Sequence, residues 1–161
     1  MARTKKKTKK STPRRSTRVK KKPITPEDLM AFKFISAPQI SPDGRRVVMV
    51  HKILGGKNEA ISNLYMANAD GSPSPSQFTS GGKDRHPRWS SDGSTIAFIG
   101  GREKHAPQIY TIGANGGEAT ALTSFPEGTL MAFQWSPDGK SIAVSFRDQE
   151  DSWTQAAIKA R

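Results

Sequence analysis

Three stretches of the chain share one pattern. They are Ala37-Pro38-Gln39-Ile40-Ser41-Pro42-Asp43-Gly44-Arg45-Arg46-Val47-Val48-Met49-Val50, His86-Pro87-Arg88-Trp89-Ser90-Ser91-Asp92-Gly93-Ser94-Thr95-Ile96-Ala97-Phe98-Ile99, and Phe133-Gln134-Trp135-Ser136-Pro137-Asp138-Gly139-Lys140-Ser141-Ile142-Ala143-Val144-Ser145-Phe146. Their Asp-Gly pairs begin at 43, 92 and 138, so successive copies lie 49 and 46 residues apart. Each copy makes local sense. An apolar residue (Ile40, Trp89, Trp135) ends one strand. Ser-x-Asp-Gly then turns the chain, because the Ser and Asp side chains bond nearby amides and Gly accepts positive φ without steric cost. A β-rich run restarts at once: Val47–Val50, Ile96–Ile99, Ile142–Phe146. The unit is a hairpin, and Asp43, Gly44, Asp92, Gly93, Asp138 and Gly139 are its turn-formers.

A second element recurs between the hairpins. Leu64-Tyr65-Met66-Ala67-Asn68-Ala69-Asp70-Gly71 leads to Gln77-Phe78-Thr79, and Ile109-Tyr110-Thr111-Ile112-Gly113-Ala114-Asn115-Gly116-Gly117-Glu118 leads to Ala121-Leu122-Thr123. Tyr65 and Tyr110 are 45 residues apart, in phase with the hairpins. Each reads as a strand, a tight turn and a short returning strand. One period therefore carries about four strands, which is one blade of a β-propeller. The expected fold class is all-β: a partial propeller of two to three four-stranded blades, preceded by a short helix and a disordered basic tail.

The 161 residues carry a formal charge of +12, but the charge sits at one end. Residues 1–22 hold 12 Lys/Arg and no acid, which leaves 14 basic and 14 acidic residues for the rest. Such a tail cannot bury enough apolar surface to offset the entropy of ordering, so it is expected to be disordered. It is also expected to make non-specific contact with nucleic acid or another polyanion through counterion release, although it holds no aromatic residue for base stacking. A Pro-containing junction follows. Thr25-Pro26-Glu27-Asp28 offers a hydroxyl N-cap, Pro at the first position and acids in the first turn, and predicts a short helix near 26–33. The expected division is a Lys/Arg-rich tail over 1–22, a lead-in segment with the short helix over 23–36, and an incomplete propeller over 37–161, with repeats starting near 37, 86 and 133.

Other classes fall away. Without Cys there is no disulfide framework, thiolate metal site or Cys nucleophile. No apolar run approaches the roughly 20 residues of a spanning helix, and no apolar stretch follows the basic start as in an export signal. A cytoplasmic location and no membrane span are therefore expected. His86 stands beside Asp84 and Arg85, but without a second ligand at a ligand-like spacing it reads as a polar loop histidine. Trp89 and Trp135 could stack on a ligand, yet they occupy the repeat position of Ile40, so packing between blades explains them better. Gly55-Gly56-Lys57 and Gly81-Gly82-Lys83 lack the full phosphate-loop pattern and open no predicted helix. The insertion His51–Asn63 reads equally as a functional loop or as an ordinary blade loop. No catalytic residue, metal ligand or cofactor site is expected in this chain.

The [Trp/Ile]-Ser-x-Asp-Gly hairpins, with Phe-Thr or Leu-Thr closing each unit, resemble TolB-like propeller repeats. The segment from Thr25-Pro26-Glu27-Asp28-Leu29 through Phe34-Ile35-Ser36-Ala37-Pro38-Gln39-Ile40-Ser41-Pro42-Asp43-Gly44 is more specific. It is similar to the start of the propeller in prolyl-oligopeptidase-family serine peptidases of the acylaminoacyl-peptidase or dipeptidyl-peptidase branch. Phe146-Arg147-Asp148 with Trp153-Thr154 is similar to the same branch. The resemblance covers about residues 24–155. It implies a C-terminal α/β-hydrolase domain carrying a Gly-x-Ser-x-Gly elbow and a Ser, Asp and His triad, with the propeller restricting access to peptides. This chain has no Gly-x-Ser-x-Gly. The resemblance thus implies a non-catalytic propeller fragment, inactive alone, whose partner is the missing hydrolase domain and whose peptide substrates are met through it. The alternative is a non-enzymatic TolB-like binding module.

Overall fold

The computed structural model describes residues 23–56, 59–102, 106–150 and 154–159. The basic tail lies outside them. The described chain opens with a 3-10 helix, Pro26–Ala31. The Asp28 carboxylate accepts from the Thr25 amide at 2.8 Å and from the Thr25 hydroxyl at 3.2 Å, so the acid in the first turn satisfies the cap residue. The helix ends earlier than the sequence predicts and is the tighter 3-10 form. None of its residues is buried, and with Leu29 and Met30 left exposed, little packing energy prolongs it into an α-helix.

Ten strands follow. β1 (Lys33–Ile40), β2 (Arg46–Leu54), β3 (Ala60–Asn68) and β4 (Ser76–Gln77) form one four-stranded antiparallel meander in sequence order. β5 (Arg85–Trp89), β6 (Thr95–Gly100), β7 (Gln108–Gly113) and β8 (Thr120–Ala121) form a second of the same order. β9 (Gly128–Trp135) and β10 (Ile142–Asp148) pair as the first half of a third, and a short helix α1 (Gln155–Lys159) follows. These are two complete blades and part of a third, as the repeat spacing anticipates. β1 already begins at Lys33, inside the lead-in segment. The insertion His51–Asn63 is mostly strand: His51 pairs with Asn63, Lys52 with Ser62, Ile53 with Ile61 and Leu54 with Ala60. It lengthens the β2–β3 hairpin.

The cores lie between blades. β6 alternates strictly: Ile96 and Phe98 join Val48, Val50 and Leu64 of the first blade, whereas Ala97 and Ile99 join Leu130 and Phe133 of the third. Successive side chains on a strand point to opposite faces, so one strand feeds two cores. That is why Ile96-Ala97-Phe98-Ile99 carries no polar residue, and all four are fully buried. Full burial of a side chain such as Phe98 is worth ~1.5–3 kcal/mol. β10, whose far face meets no further blade among the described residues, returns to alternation with Ala143, Ser145 and Arg147 exposed.

The hairpin turns share one hydrogen-bond pattern. Ser41 Oγ donates to Asp43 Oδ1 at 2.5 Å, and the same oxygen accepts from the Arg45 amide at 3.1 Å. Ser90 and Asp92 repeat this at 2.6 Å with the Ser94 amide at 3.0 Å, and Ser136 and Asp138 at 2.5 Å with the Lys140 amide at 3.1 Å. Gly44, Gly93 and Gly139 take φ of 72°, 70° and 69°, a conformation costly for any residue with a Cβ. The Ser90 hydroxyl and then the Ser94 amide and hydroxyl hold the Asp92 carboxyl down at about 2. Asp43 and Asp138 are lowered in the same way, first by Ser41 and Ser136 and then by the Arg45 and Lys140 amides.

Candidate functional site

The seams between blades carry the polar contacts that the repeats do not explain. The Trp89 indole donates to the Gln39 carbonyl of the first blade at 3.1 Å. One period later, the Trp135 indole donates to the Arg88 carbonyl of the second blade at 3.4 Å. Each Trp thus reaches the residue that precedes its own equivalent in the preceding blade. Ile40, the first-blade equivalent, has no preceding blade beside it among the described residues and is 61 % exposed, whereas Trp89 is 9 % exposed. The indoles act in blade-to-blade packing and are not open stacking platforms. Arg46 adds a third link: Nη1 donates to the Ala114 carbonyl at 2.6 Å, and the guanidinium lies 5.1 Å from the Trp89 ring centroid.

The second seam, between β5 and β9, is the most functionally suggestive surface. β5 packs beside both β1 and β9 and presents Arg85, His86 and Arg88 within four residues. Arg85 Nη2 donates to the Leu130 carbonyl at 3.0 Å. Arg88 Nε donates to Gln134 Oε1 at 3.2 Å and its Nη1 to the Pro87 carbonyl at 2.8 Å. His86 Nε2 lies 3.4 Å from the Phe133 carbonyl, with its ring 5.4 Å from the Phe133 ring. Beside these groups runs a groove of about 410 Å³, lined by His86, Arg88, Phe133, Gln134 and Val144 among others.

His86 therefore stands within β5, not in the loop ahead of a strand. A bulge puts it there: the β5–β6 register shifts between Arg85 and Arg88, and His86 takes φ of 55°. Ala37 of β1 has φ of 47° at a matching shift between Ser36 and Gln39, so the kink before Pro belongs to the repeat. Burial, the Arg88 charge and then the Arg85 charge push the His86 pKa down, against the pull of the Phe133 carbonyl. Its imidazole is neutral near pH 7. Burial also lowers Arg85 and Arg88, though an arginine remains charged at any working pH.

Elsewhere, no group of three or more His, Asp or Glu is placed to hold a metal ion among the described residues. Gly82 donates to Asn63 Oδ1 at 2.8 Å and accepts from the Ser62 amide at 2.8 Å, so Gly81-Gly82-Lys83 is a crossover tied to β3 and opens no helix. Lys57 lies outside the described residues. Asp84, fully buried, pairs with Arg102 at 3.7 Å, and that guanidinium lies 4.9 Å from the Tyr110 ring centroid. Sequence reasoning missed this pair, which only the β5–β6 register brings together, and the Arg-x-x-Arg spacing of β5, whose partners lie on the next blade. No helix among the described residues is long and apolar enough to cross a membrane.

Comparison with known proteins supplies context for this geometry. The profile of the TolB beta propeller domain family matches residues 26–160. The chain is similar to an uncharacterised peptidase, YuxL, of Bacillus subtilis: 39 % identity over 129 residues, covering 78 % of this chain and 19 % of that protein. It is also similar to dipeptidyl-peptidase 5 of Porphyromonas endodontalis, 31 % identical over 124 residues, covering 76 % of this chain and 18 % of the relative. The chain thus spans about a fifth of the length of the curated relatives it matches. Among solved structures, acylaminoacyl peptidase of Pyrococcus horikoshii shares the fold with a TM-score of 0.63 at 20 % identity, over 78 % of this chain and 20 % of that one.

Proposed function

Because the chain belongs to the TolB β-propeller domain family, we propose that it is the non-catalytic N-terminal propeller portion of an acylaminoacyl-peptidase-like serine peptidase. In that reading its blades restrict access so that peptides, and not folded proteins, reach a hydrolase domain on the same polypeptide. The observation that carries the reading is the 39 % identity to a peptidase of which the chain matches only 19 %. The described blades contribute packing, turns and a seam groove, and no nucleophile–base pair. A propeller abolishes its open ends only by closing, typically with four to eight blades, so this reading expects further blades in the intact protein.

The reading frame of the gene tests this. It should continue into about five further blades and a Gly-x-Ser-x-Gly elbow. A frame that stops without them refutes the reading. The 161-residue chain alone should not hydrolyse an acyl-peptide chromogenic substrate, and hydrolysis by rigorously pure chain would overturn its non-catalytic assignment.

A second reading is a non-enzymatic binding module, favoured by the family match itself, which rests on the propeller and not on a hydrolase. A partner recovered with the chain, lost on deleting residues 37–148 and kept on deleting residues 1–22, would support it. In either reading residues 1–22 form a polyanion-contacting tail, residues 23–36 lead into the propeller, and the protein works in the cytoplasm.

A further inference from the structure

The groove at the second seam carries a charge that its own contacts do not neutralise. Every acceptor that Arg85 and Arg88 reach is uncharged: the Leu130 carbonyl, Gln134 Oε1 and the Pro87 carbonyl. Among the described residues the buried carboxylate of Asp84 pairs with Arg102, and no carboxylate comes within ion-pair distance of Arg85, His86 or Arg88. Neutral acceptors satisfy N–H donors but leave the net charge in place. Two permanently charged guanidinium groups therefore flank the seam without a counter-ion among the described residues. The rest of the lining is different in kind. Ala132, Phe133, Ala143 and Val144 give it an apolar wall. The groove's 410 Å³ falls at the small end of ligand pockets, which run from about 300 to 1,000 Å³.

An anion alone would leave that wall uncovered, and an apolar group alone would leave the charge unpaired. A ligand that satisfies both has a carboxylate joined to a short apolar body. We propose that this groove binds the free C-terminal carboxylate of a peptide whose last residue is apolar, with Arg88 facing the carboxylate and Phe133 and Val144 packing the side chain. The choice of a peptide rests on the reading of the protein as part of a peptidase. Arg88 suits the role because Gln134 holds its Nε and the Pro87 carbonyl its Nη1, so the planar fork is oriented before a ligand arrives. The neutral His86 beside it lets the apolar end approach without a further charge to desolvate.

The test is an NMR titration of the 161-residue chain that follows the His86 ring and the Trp135 indole N–H, which bonds the Arg88 carbonyl. The probes are N-acetyl-Ala-Leu as free acid, the same dipeptide as C-terminal amide, and inorganic phosphate. The acid should bind at least about tenfold more tightly than the amide, and the preference should shrink between 50 and 500 mM salt as a screened charge contact does. Arg88→Gln should abolish the preference, and Arg88→Lys should keep part of it. Should Arg88→Gln unfold the seam, shown by loss of the Trp89 and Trp135 indole signals, Ser145→Glu supplies the second arm. It adds a carboxylate at the groove edge and should reduce acid binding by a similar factor. Equal binding of acid and amide, absence of binding at millimolar peptide, or phosphate binding as tight as the acid would each overturn the proposal. A gene without a downstream hydrolase would sink the peptidase reading but would leave this titration unaffected, so the two failures are distinguishable.

Discussion

Replacing Trp89 by Phe separates hydrogen bonding from bulk at the first seam. The change removes the indole donor to the Gln39 carbonyl, 3.1 Å away, and a bond of this kind contributes about 0.5–1.5 kcal/mol net. It also removes part of a ring that is 9 % exposed, and losing ~40 Å² of buried apolar surface costs about 1 kcal/mol. A phenyl ring is a poorer partner than indole for the Arg46 guanidinium, now 5.1 Å from the ring centroid, a loss of ~0.5 kcal/mol. The total is about 2–3 kcal/mol by these terms. Trp135→Phe should cost less, about 1 kcal/mol, because its bond to the Arg88 carbonyl is 3.4 Å long and the ring is only half-buried. Ile40→Ala should cost under ~0.5 kcal/mol, since Ile40 is 61 % exposed. Urea unfolding followed by far-UV circular dichroism, with m-values compared, reads all three. Equal losses at the three positions, or an Ile40 loss as large as that of Trp89, would refute the claim that the indoles link neighbouring blades.

Gly128→Ala should disrupt the third blade, because a Cβ there would stand 2.5 Å from the Arg147 carbonyl oxygen and 2.5 Å from Phe146 Cζ; amide exchange in β9 and β10 should rise, and unchanged protection would contradict the packing. Thr79→Val should cost about 1 kcal/mol by removing the hydroxyl that accepts from the buried Leu64 amide at 2.9 Å, and Thr123→Val should match it through the Ile109 amide at 3.0 Å. Stability should fall in acid. The Asp92 carboxyl is lowered from 3.8 to about 2, so its contribution is complete above 3.8 and is lost as pH drops towards about 2; Asp92→Ala should flatten that part of the pH profile. His86 acts earlier, because its lowered pKa makes the folded state resist a proton that the unfolded chain accepts below 6.5. Deleting residues 1–22 should remove salt-dependent retention on heparin, and retention that ignores salt would argue against counterion release.

Much of the fold was legible because its signals are local. Ser41, Asp43 and Gly44 form their turn with atoms at most five residues away, so the motif carries the geometry with it. Its recurrence at 92 and 138 then set the period, and the period set the blade. The extent of strand around His51–Asn63 was less legible. Gly55 and Gly56 look like a loop in sequence, while the pairing that makes strands of their neighbours depends on cross-strand partners. The same holds for His86, whose place inside β5 follows from a bulge defined by the register against β6.

The seam groove was invisible for a stronger reason. Arg85, His86 and Arg88 acquire meaning only from Leu130, Phe133 and Gln134, some 45 to 47 residues further on. By itself, the sequence determined the turns, the repeat and the separation of a basic tail from a neutral body, since each rests on bonds or charges between near neighbours. The tertiary structure decided which faces of β6 serve which core, what the Trp indoles bond, and where unpaired positive charge meets an apolar wall. Those depend on stacking one blade against the next, and stacking is set by contacts a full period apart.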